Sequence, residues 1–270
     1  MFYDCKNEYS TINGHRSAIS AYHDEVDGKP IGVHPDVCAL LRGASNERPP
    51  QPRLSYVWDV DEVLKLITSW GDNPDLPDKI ITYKLAALLA LTSGHRGAEL
   101  KLLNILRMDV NKDHVRFHFS KRFKTTKPGV VPNASSFYQF TEDSRLCPLL
   151  CLKYYLIRSA NWRRDGESTV IVRTDLFLGH TSPHDEVSKQ TIAKWIKEVL
   201  GMANIDTKVF KGHSYRHAST SKAHFAGLSI EHIIDQGNWS NCSTFERFYH
   251  QPIVSGAKKF QNAILRKGKK

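Results

Sequence analysis

Apolar residues recur along much of the chain at the spacing of amphipathic helices. Asp59, followed three residues later by Glu62, has the form of a capping box and predicts a helix that ends near Trp70. Residues 79–91 are apolar almost all round, which is typical of a core helix, and Gly94 follows as its expected end. This part of the chain therefore predicts helices packed around a buried one.

The same spacing predicts helices in six further regions. These are residues 11–22, residues 35–41, a short helix after His95, a helix opened by Pro148 and one capped by Ser188, and then three or four short helices from His213 onward.

One stretch has the alternation of a strand instead. Val115, Phe117 and Phe119 alternate with polar residues, which predicts a strand with one buried face. Pro128-Gly129 is typical of a turn, and Val130-Val131 is the predicted partner strand. The predicted fold class is therefore mainly α with a small antiparallel β-sheet.

A proline-rich stretch divides the chain. Residues 48–53 contain three prolines among polar and charged residues, and they predict an extended linker. Residues 1–47 are too few to fold alone in most cases, so we expect the last part of a helical domain or an arm there. Residues 54–270 form the predicted main domain.

Composition favours a polyanionic partner without requiring one. The 270 residues include 38 Lys and Arg against 28 Asp and Glu, a net charge of +10. The five cysteines are scattered, which does not suggest a disulfide framework and favours a reducing compartment. Since no signal peptide opens the chain and no apolar run reaches the ~18 residues of a membrane span, we expect a soluble intracellular protein with no membrane partner.

Several residues fit the cleavage of a phosphodiester without a metal. Such chemistry needs guanidinium groups for the charge on the phosphate oxygens, together with proton donors and acceptors. Arg96 lies at a predicted turn, with Glu99 on the same helical face as support, and His213 and Arg216 are predicted to share a face of another helix. A lysine and two aromatic residues complete the set: Lys124, Trp239 and Tyr249.

These residues, in this order, resemble the tyrosine recombinases, which are also called the phage integrase family. Lys124 follows Arg96 by 28 residues, Trp239 follows Arg216 by 23, and Tyr249 follows Trp239 by 10. Each motif alone is weak evidence, but all of them in order at workable spacing are specific. The resemblance covers about residues 54–260, and the stretches HSYRHASTSKA and NWSNCSTFERFYHQP are most similar to recombinases of Crypton and DIRS-type mobile elements.

The resemblance implies the catalytic-domain fold of that family and a DNA breaking-rejoining enzyme. Arg96 and Arg216 would clamp the scissile phosphate, and the indole N–H of Trp239 would donate to a phosphate oxygen. The resemblance also implies a partner, double-stranded DNA, that is bound at paired sites by a homotetramer. The location would be the nucleus or wherever the element's DNA resides.

It also implies the proton transfers. Lys124 would protonate the leaving 5′ oxygen, His213 would assist proton transfer to and from the tyrosine, and Tyr249 would form a 3′-phosphotyrosine link. No cofactor is implied, because the covalent link preserves the bond energy and neither metal nor ATP is required. Further DNA contacts are expected from basic residues that otherwise form solvated faces: Lys121, Arg122, Lys127, Lys189, Lys194 and Lys197.

Several alternatives stay open at this point. Lys121 and Lys127 are rivals of Lys124 as the catalytic lysine, although the spacing and the threonine that follows favour Lys124. His213 and His217 have the spacing of metal ligands, but no carboxylate completes such a site and the adjacent arginine would repel a cation. Trp239 could simply pack in the core.

The chain also departs from the family pattern. The spacing from Trp239 to Tyr249 is one residue longer than the commonest one, and His95 occupies a position where an apolar residue is usual. The part before residue 48 is short for the family's N-terminal domain. Two other functions are therefore weighed beside the recombinase: a recombinase-derived DNA-binding module that has lost catalysis, and a type IB topoisomerase.

Overall fold

The computed structural model divides into two compact units, residues 1–55 and 56–270. It describes residues 7–49, 56–119, 134–166 and 168–237.

The first unit is a pair of helices, α1 (Tyr9–Tyr22) and α2 (Pro35–Glu47). A tight turn between them is held to α1, because the Gly32 N–H donates to Ser20 Oγ at 2.9 Å. The sequence predicts the second helix only as far as residue 41. The longer α2 is compatible with the sequence, since the remaining residues include no proline and only one glycine.

The second unit is mainly helical. Its helices and strands, in chain order, are α3 (Val60–Ser69), α4 (Asp78–Ser93), α5 (Gly97–Leu100), β1 (Met108–Val110), β2 (His114–Phe117), β3 (Ser135–Tyr138), α6 (Pro148–Arg158), α7 (Lys189–Met202), α8 (Tyr215–Phe225) and α9 (Ile230–Gln236). Within the described ranges, no helix is both long enough and apolar enough to cross a membrane.

Helix α4 lies at the centre of this unit. It packs against α6, α7 and α8, so its side chains are buried on every face from Ile81 to Ala90. This agrees with the prediction of a core helix. Helix α7 buries the predicted apolar side and keeps its other face in solvent, and Ser188 caps it by accepting the Thr191 N–H at 3.1 Å.

The sheet is antiparallel, with the strand order β1-β2-β3. Phe117 pairs with Met108 on one side and with Ser135 on the other. The fold class predicted from sequence is thereby confirmed. Strand β1 went unpredicted because three residues are too few to display an alternation, and the predicted partner Val130-Val131 lies outside the described residues.

Two local predictions need correction. Asp59 does cap α3, by accepting the Asp61 N–H at 3.0 Å, but Glu62 pairs with Lys65 at 3.0 Å rather than forming the predicted capping box. The helix predicted to open at His213 begins at Tyr215, and His213 lies in the preceding turn.

Candidate active site

The turn after α4 positions Arg96. Gly94 ends the helix in the left-handed conformation, with φ 62° and ψ 14°, which a residue with a side chain rarely adopts. The chain then runs extended through Arg96, which is the N-cap of α5. The side chain of Arg96 is 29% exposed, so it can reach a ligand from this turn.

Glu99 lies one turn into α5 and is completely buried. Its Oε1 accepts a hydrogen bond from Arg96 Nη1 and its Oε2 accepts one from the Arg96 backbone N–H, both at 2.9 Å. One carboxylate therefore fixes both the main chain and the guanidinium of Arg96.

Arg216 reaches the same carboxylate from α8. Its Nη1 lies 3.9 Å from Glu99 Oε2, and the side chain is only 4% exposed. Arg216 also donates to the carbonyl oxygens of Gly94 and Gly237. The two arginines, far apart in sequence, thus meet at one buried carboxylate.

The charge balance at this cluster is positive. Two guanidinium groups face one carboxylate, and His95 Nδ1 approaches Glu99 Oε2 at 3.3 Å. Burial alone would raise the pKa of Glu99, but the contact with His95 and the donors of Arg96 outweigh it, so the pKa lies below its ordinary value. Glu99 is therefore ionised at neutral pH, and the excess positive charge suits an anion such as a phosphate.

The start of α8 is held by residues that sequence reasoning missed. Trp58 Nε1 donates to Ser214 Oγ at 2.9 Å in a buried contact, and the Tyr215 hydroxyl donates to the His95 carbonyl oxygen. These contacts fix the chain at Ser214 and at Tyr215. His213 is exposed in the same turn, and its carbonyl accepts the Arg216 N–H at 3.3 Å.

Gly212 makes this turn possible. A Cβ atom at this position would lie 2.2 Å from the carbonyl oxygen of Ala193 in α7, which is closer than real atoms approach. Only glycine therefore lets the chain pass α7 at this distance. In the sequence, the sign of this close approach is the glycine directly before His213. Its importance could not be predicted, because Ala193 lies in a helix that is distant along the chain.

A sequence model described as "Phage integrase family" matches residues 58–253. The chain belongs to the phage integrase family. Its members are tyrosine recombinases, and the matched region contains every residue of the predicted catalytic set. No curated protein matches this chain.

Solved structures of recombinases share the fold of this family member. The crystal structure of XerA recombinase is 17% identical, with a TM-score of 0.52 over 97% of this chain and 85% of that one. XerH site-specific recombinase bound to palindromic difH substrate is 12% identical, with a TM-score of 0.61 over 97% and 69%. The Tn1549 transposon integrase in complex with transposon right end DNA is 14% identical, with a TM-score of 0.58 over 98% and 82%.

The structure brings together part of the predicted set. Arg96, Glu99 and Arg216 are in contact, and His213 lies in the turn that leads into α8. Six further predicted residues lie outside the described ones: Lys121, Arg122, Lys124, Lys127, Trp239 and Tyr249.

The predicted basic face of α7 lies close to the arginine turn. Lys189, Lys194 and Lys197 are all exposed. At the start of α7, the Lys189 carbonyl oxygen lies 3.6 Å from where a Cβ of Gly97 would be. A surface that carries these lysines therefore begins beside Arg96. Among the described residues, no group of three His, Cys, Asp or Glu side chains is placed to hold a metal ion.

The close approach at Gly212 can be tested by adding one methyl group. We expect Gly212→Ala to lower the free energy of unfolding by about 3 kcal/mol, because a backbone carbonyl cannot move aside as a side-chain end can. The matched control is Gly201→Ala in α7, whose Cβ would make an ordinary 3.6 Å contact with Thr207. The control should be neutral or raise stability by up to about 1 kcal/mol. Urea unfolding measures both, and equal stability of the two variants would contradict the assignment.

The lowered pKa of Glu99 predicts a pH-dependent stability. A carboxyl with a lower pKa in the folded state stabilises the fold above its ordinary pKa of 4.5, and this contribution is lost as the pH falls through the folded value below it. We expect Glu99→Gln to be less stable than the native chain by about 3 kcal/mol at pH 7. The difference should shrink on acidification below pH 4.5.

Unfolding of both chains, measured across this pH range, checks the expectation. Glu142→Gln, which replaces an exposed carboxylate, is the control and should change stability by less than about 0.5 kcal/mol at pH 7. A Glu99→Gln defect of constant size down to pH 3 would show that the charge of Glu99 is not what stabilises the cluster.

Proposed function

We propose that this integrase-family chain cuts and rejoins double-stranded DNA through a covalent bond to Tyr249. The observation that carries the proposal is the pair of arginines at one buried carboxylate. Arg96 and Arg216 both contact Glu99, which leaves more positive charge than the carboxylate neutralises. A scissile phosphate is the anion that this arrangement suits, since guanidinium binds two phosphate oxygens at once.

Access to the two arginines differs. Arg96 is exposed enough to meet the phosphate first, whereas Arg216 already donates to the carbonyl oxygens of Gly94 and Gly237. A guanidinium has five N–H donors, so Arg216 can brace these turns and still offer a donor to the phosphate. In this proposal, Glu99 fixes the spacing between the two cations before the DNA arrives, which lowers the reorganisation needed in the transition state.

The reaction balances without metal or ATP. The hydroxyl oxygen of Tyr249 forms a bond to phosphorus while the bond from phosphorus to the 5′ oxygen breaks. The proton of the tyrosine passes to His213, and a proton from Lys124 reaches the leaving oxygen. Lys121 and Lys127 remain the alternative donors. Trp239 donates its N–H to a phosphate oxygen. A free 5′ hydroxyl then reverses these steps to rejoin a strand.

The finer features of the assignment stay predictions from the sequence resemblance. They are assembly as a homotetramer on paired DNA sites, a location in the nucleus or with the element's DNA, and an origin among recombinases of Crypton or DIRS-type mobile elements. The solved structures of XerH with its difH substrate and of the Tn1549 integrase with transposon right end DNA support DNA as the partner.

The chemistry can be tested without knowing the target site. A pool of randomised nicked duplexes is mixed with the protein and denatured, because a nick near the cut lets the short product diffuse away and traps the covalent intermediate. We expect a protein–DNA adduct from the native chain and at least a thousandfold less from Tyr249→Phe, with DNA binding unchanged. Tyr138→Phe, at an exposed tyrosine of β3, is the matched control and should form the adduct normally.

The other possible outcomes test the choice of nucleophile and the two alternative functions. An adduct that persists in Tyr249→Phe would overturn the nucleophile. Salt-dependent binding with no adduct from the native chain would favour a DNA-binding module that has lost catalysis. Relaxation of an arbitrary plasmid by the monomer would favour a type IB topoisomerase.

The exposed face of α7 supplies a second prediction. If Lys189, Lys194 and Lys197 contact DNA phosphates, replacing all three with Gln removes three charge contacts. The slope of log affinity against log salt should then become less steep by about 0.9 for each lysine, or nearly 3 in total. Lys153→Gln, on the exposed side of α6, is the control. Unchanged slopes would assign the three lysines to a solvated face only.

A further inference from the structure

His95 is buried at the centre of the candidate site, with only 3% of its surface exposed. Its main chain is fixed on both sides, since its N–H donates to Ser93 Oγ at 3.1 Å and its carbonyl oxygen accepts from the Tyr215 hydroxyl. Burying an imidazole next to two guanidinium groups is unfavourable unless both ring nitrogens have partners. The stability of the imidazole in this position therefore depends on the polar groups that face its two ring nitrogens.

Both ring nitrogens face polar groups. Nε2 lies 2.8 Å from Ser135 Oγ, and Nδ1 lies 3.3 Å from Glu99 Oε2. Among the described residues, Glu99 Oε2 is the polar group that Nδ1 faces at 3.3 Å, although Nδ1 makes no hydrogen bond of regular geometry. A carboxylate can only accept, so Nδ1 must carry a proton for this contact to be favourable. The serine hydroxyl can then donate to a neutral Nε2 or accept from a protonated one.

The imidazole thereby joins the sheet to the arginine turn. Ser135 is the first residue of β3 and pairs with Phe117 of β2. The ring of Phe119, just beyond β2, meets the His95 ring edge-on at 5.9 Å. Both ends of the segment between β2 and β3 are therefore close to His95. An apolar residue at position 95 could fill this space, but it could not connect Ser135 to Glu99.

We propose that His95 is a positioning residue for Arg96: a protonated Nδ1, 3.3 Å from Glu99 Oε2, holds that carboxylate in place while Ser135 holds Nε2. Glu99 in turn fixes the guanidinium of Arg96. Without the donor, Glu99 Oε2 is shared by the Arg96 main chain and Arg216 alone, and the spacing of the two cations is less well defined. The expected effect on rate rests on the proposed function. The contacts of His95 with Glu99 and Ser135 do not depend on it.

Replacing His95 with asparagine or glutamine distinguishes its contact with Glu99 from its contact with Ser135. The side-chain amide nitrogen of H95N lies near the place of Nδ1 and can donate to Glu99, whereas that of H95Q lies near the place of Nε2 and reaches Ser135 instead. H95L fills the space without any donor. In single-turnover adduct formation on a trapped nicked duplex, we expect H95L and H95Q to be at least tenfold slower than the native chain. H95N should recover to within about threefold.

Duplex affinity should stay within about twofold in all three variants, because the contact acts on the arrangement of Arg96 and not on the number of phosphate contacts. Native rates in H95L would overturn the proposal, and so would an H95N rate as low as that of H95Q. If H95L fails to fold, as judged by thermal unfolding, the comparison of H95N with H95Q decides the matter.

A second measurement is independent of DNA cleavage. The ¹⁵N shifts of the imidazole nitrogens in the native chain, assigned to His95 by their absence in H95N, report which nitrogen carries a proton. We expect a protonated Nδ1, and an unprotonated Nδ1 would overturn the proposed contact with Glu99. A native chain that forms no adduct but has this protonated Nδ1 would refute the proposed function while leaving the contact itself in place.

Discussion

The candidate site depends on the buried carboxylate of Glu99. A fully buried carboxylate is unfavourable unless it is ionised, paired and hydrogen-bonded, and here the Arg96 main chain and guanidinium, His95 and Arg216 surround it. Removing any one of these partners leaves charge that the interior cannot solvate. Elements that are distant along the chain are thereby coupled: the turn after α4, the start of α5 and helix α8. The same cluster that stabilises the fold also sets the spacing of two cations, Arg96 and Arg216.

Close backbone approaches make that cluster geometrically possible. Gly94 turns the chain in the left-handed region directly before the site, and Gly212 lets the start of α8 pass the carbonyl oxygen of Ala193. The core helix α4 supplies the rigid support, since it is buried all round by its neighbours. Trp58 and Tyr215 then fix the two turns through hydrogen bonds to Ser214 and to the His95 carbonyl oxygen. Precise positions for a few charged groups therefore follow from ordinary packing.

Membership in the phage integrase family and the positive cluster are two independent observations, and both support the proposed cleavage of a phosphodiester. The family places a set of residue types along the chain, and the structure brings three of them, Arg96, Glu99 and Arg216, into contact. From the sequence resemblance, an apolar residue is expected at the position of the buried His95. Its Nε2 is hydrogen-bonded to Ser135, and its Nδ1 faces the Glu99 carboxylate at 3.3 Å. A second buried polar residue, Ser135, thus accompanies the buried imidazole.

The sequence by itself determined the elements and the inventory of chemistry. Helix α4, the buried side of α7 and the presence of a small antiparallel sheet followed from apolar spacing, because that spacing records which face of a segment is buried. The closeness of Arg96 to Glu99 followed from their separation by one helical turn. The tertiary structure decided the contacts between distant segments, such as Arg216 with Glu99, Trp58 with Ser214 and His95 with Ser135. Local patterns carry no information about them, because they depend on how closely two backbones pack and on which buried polar group remains to be satisfied.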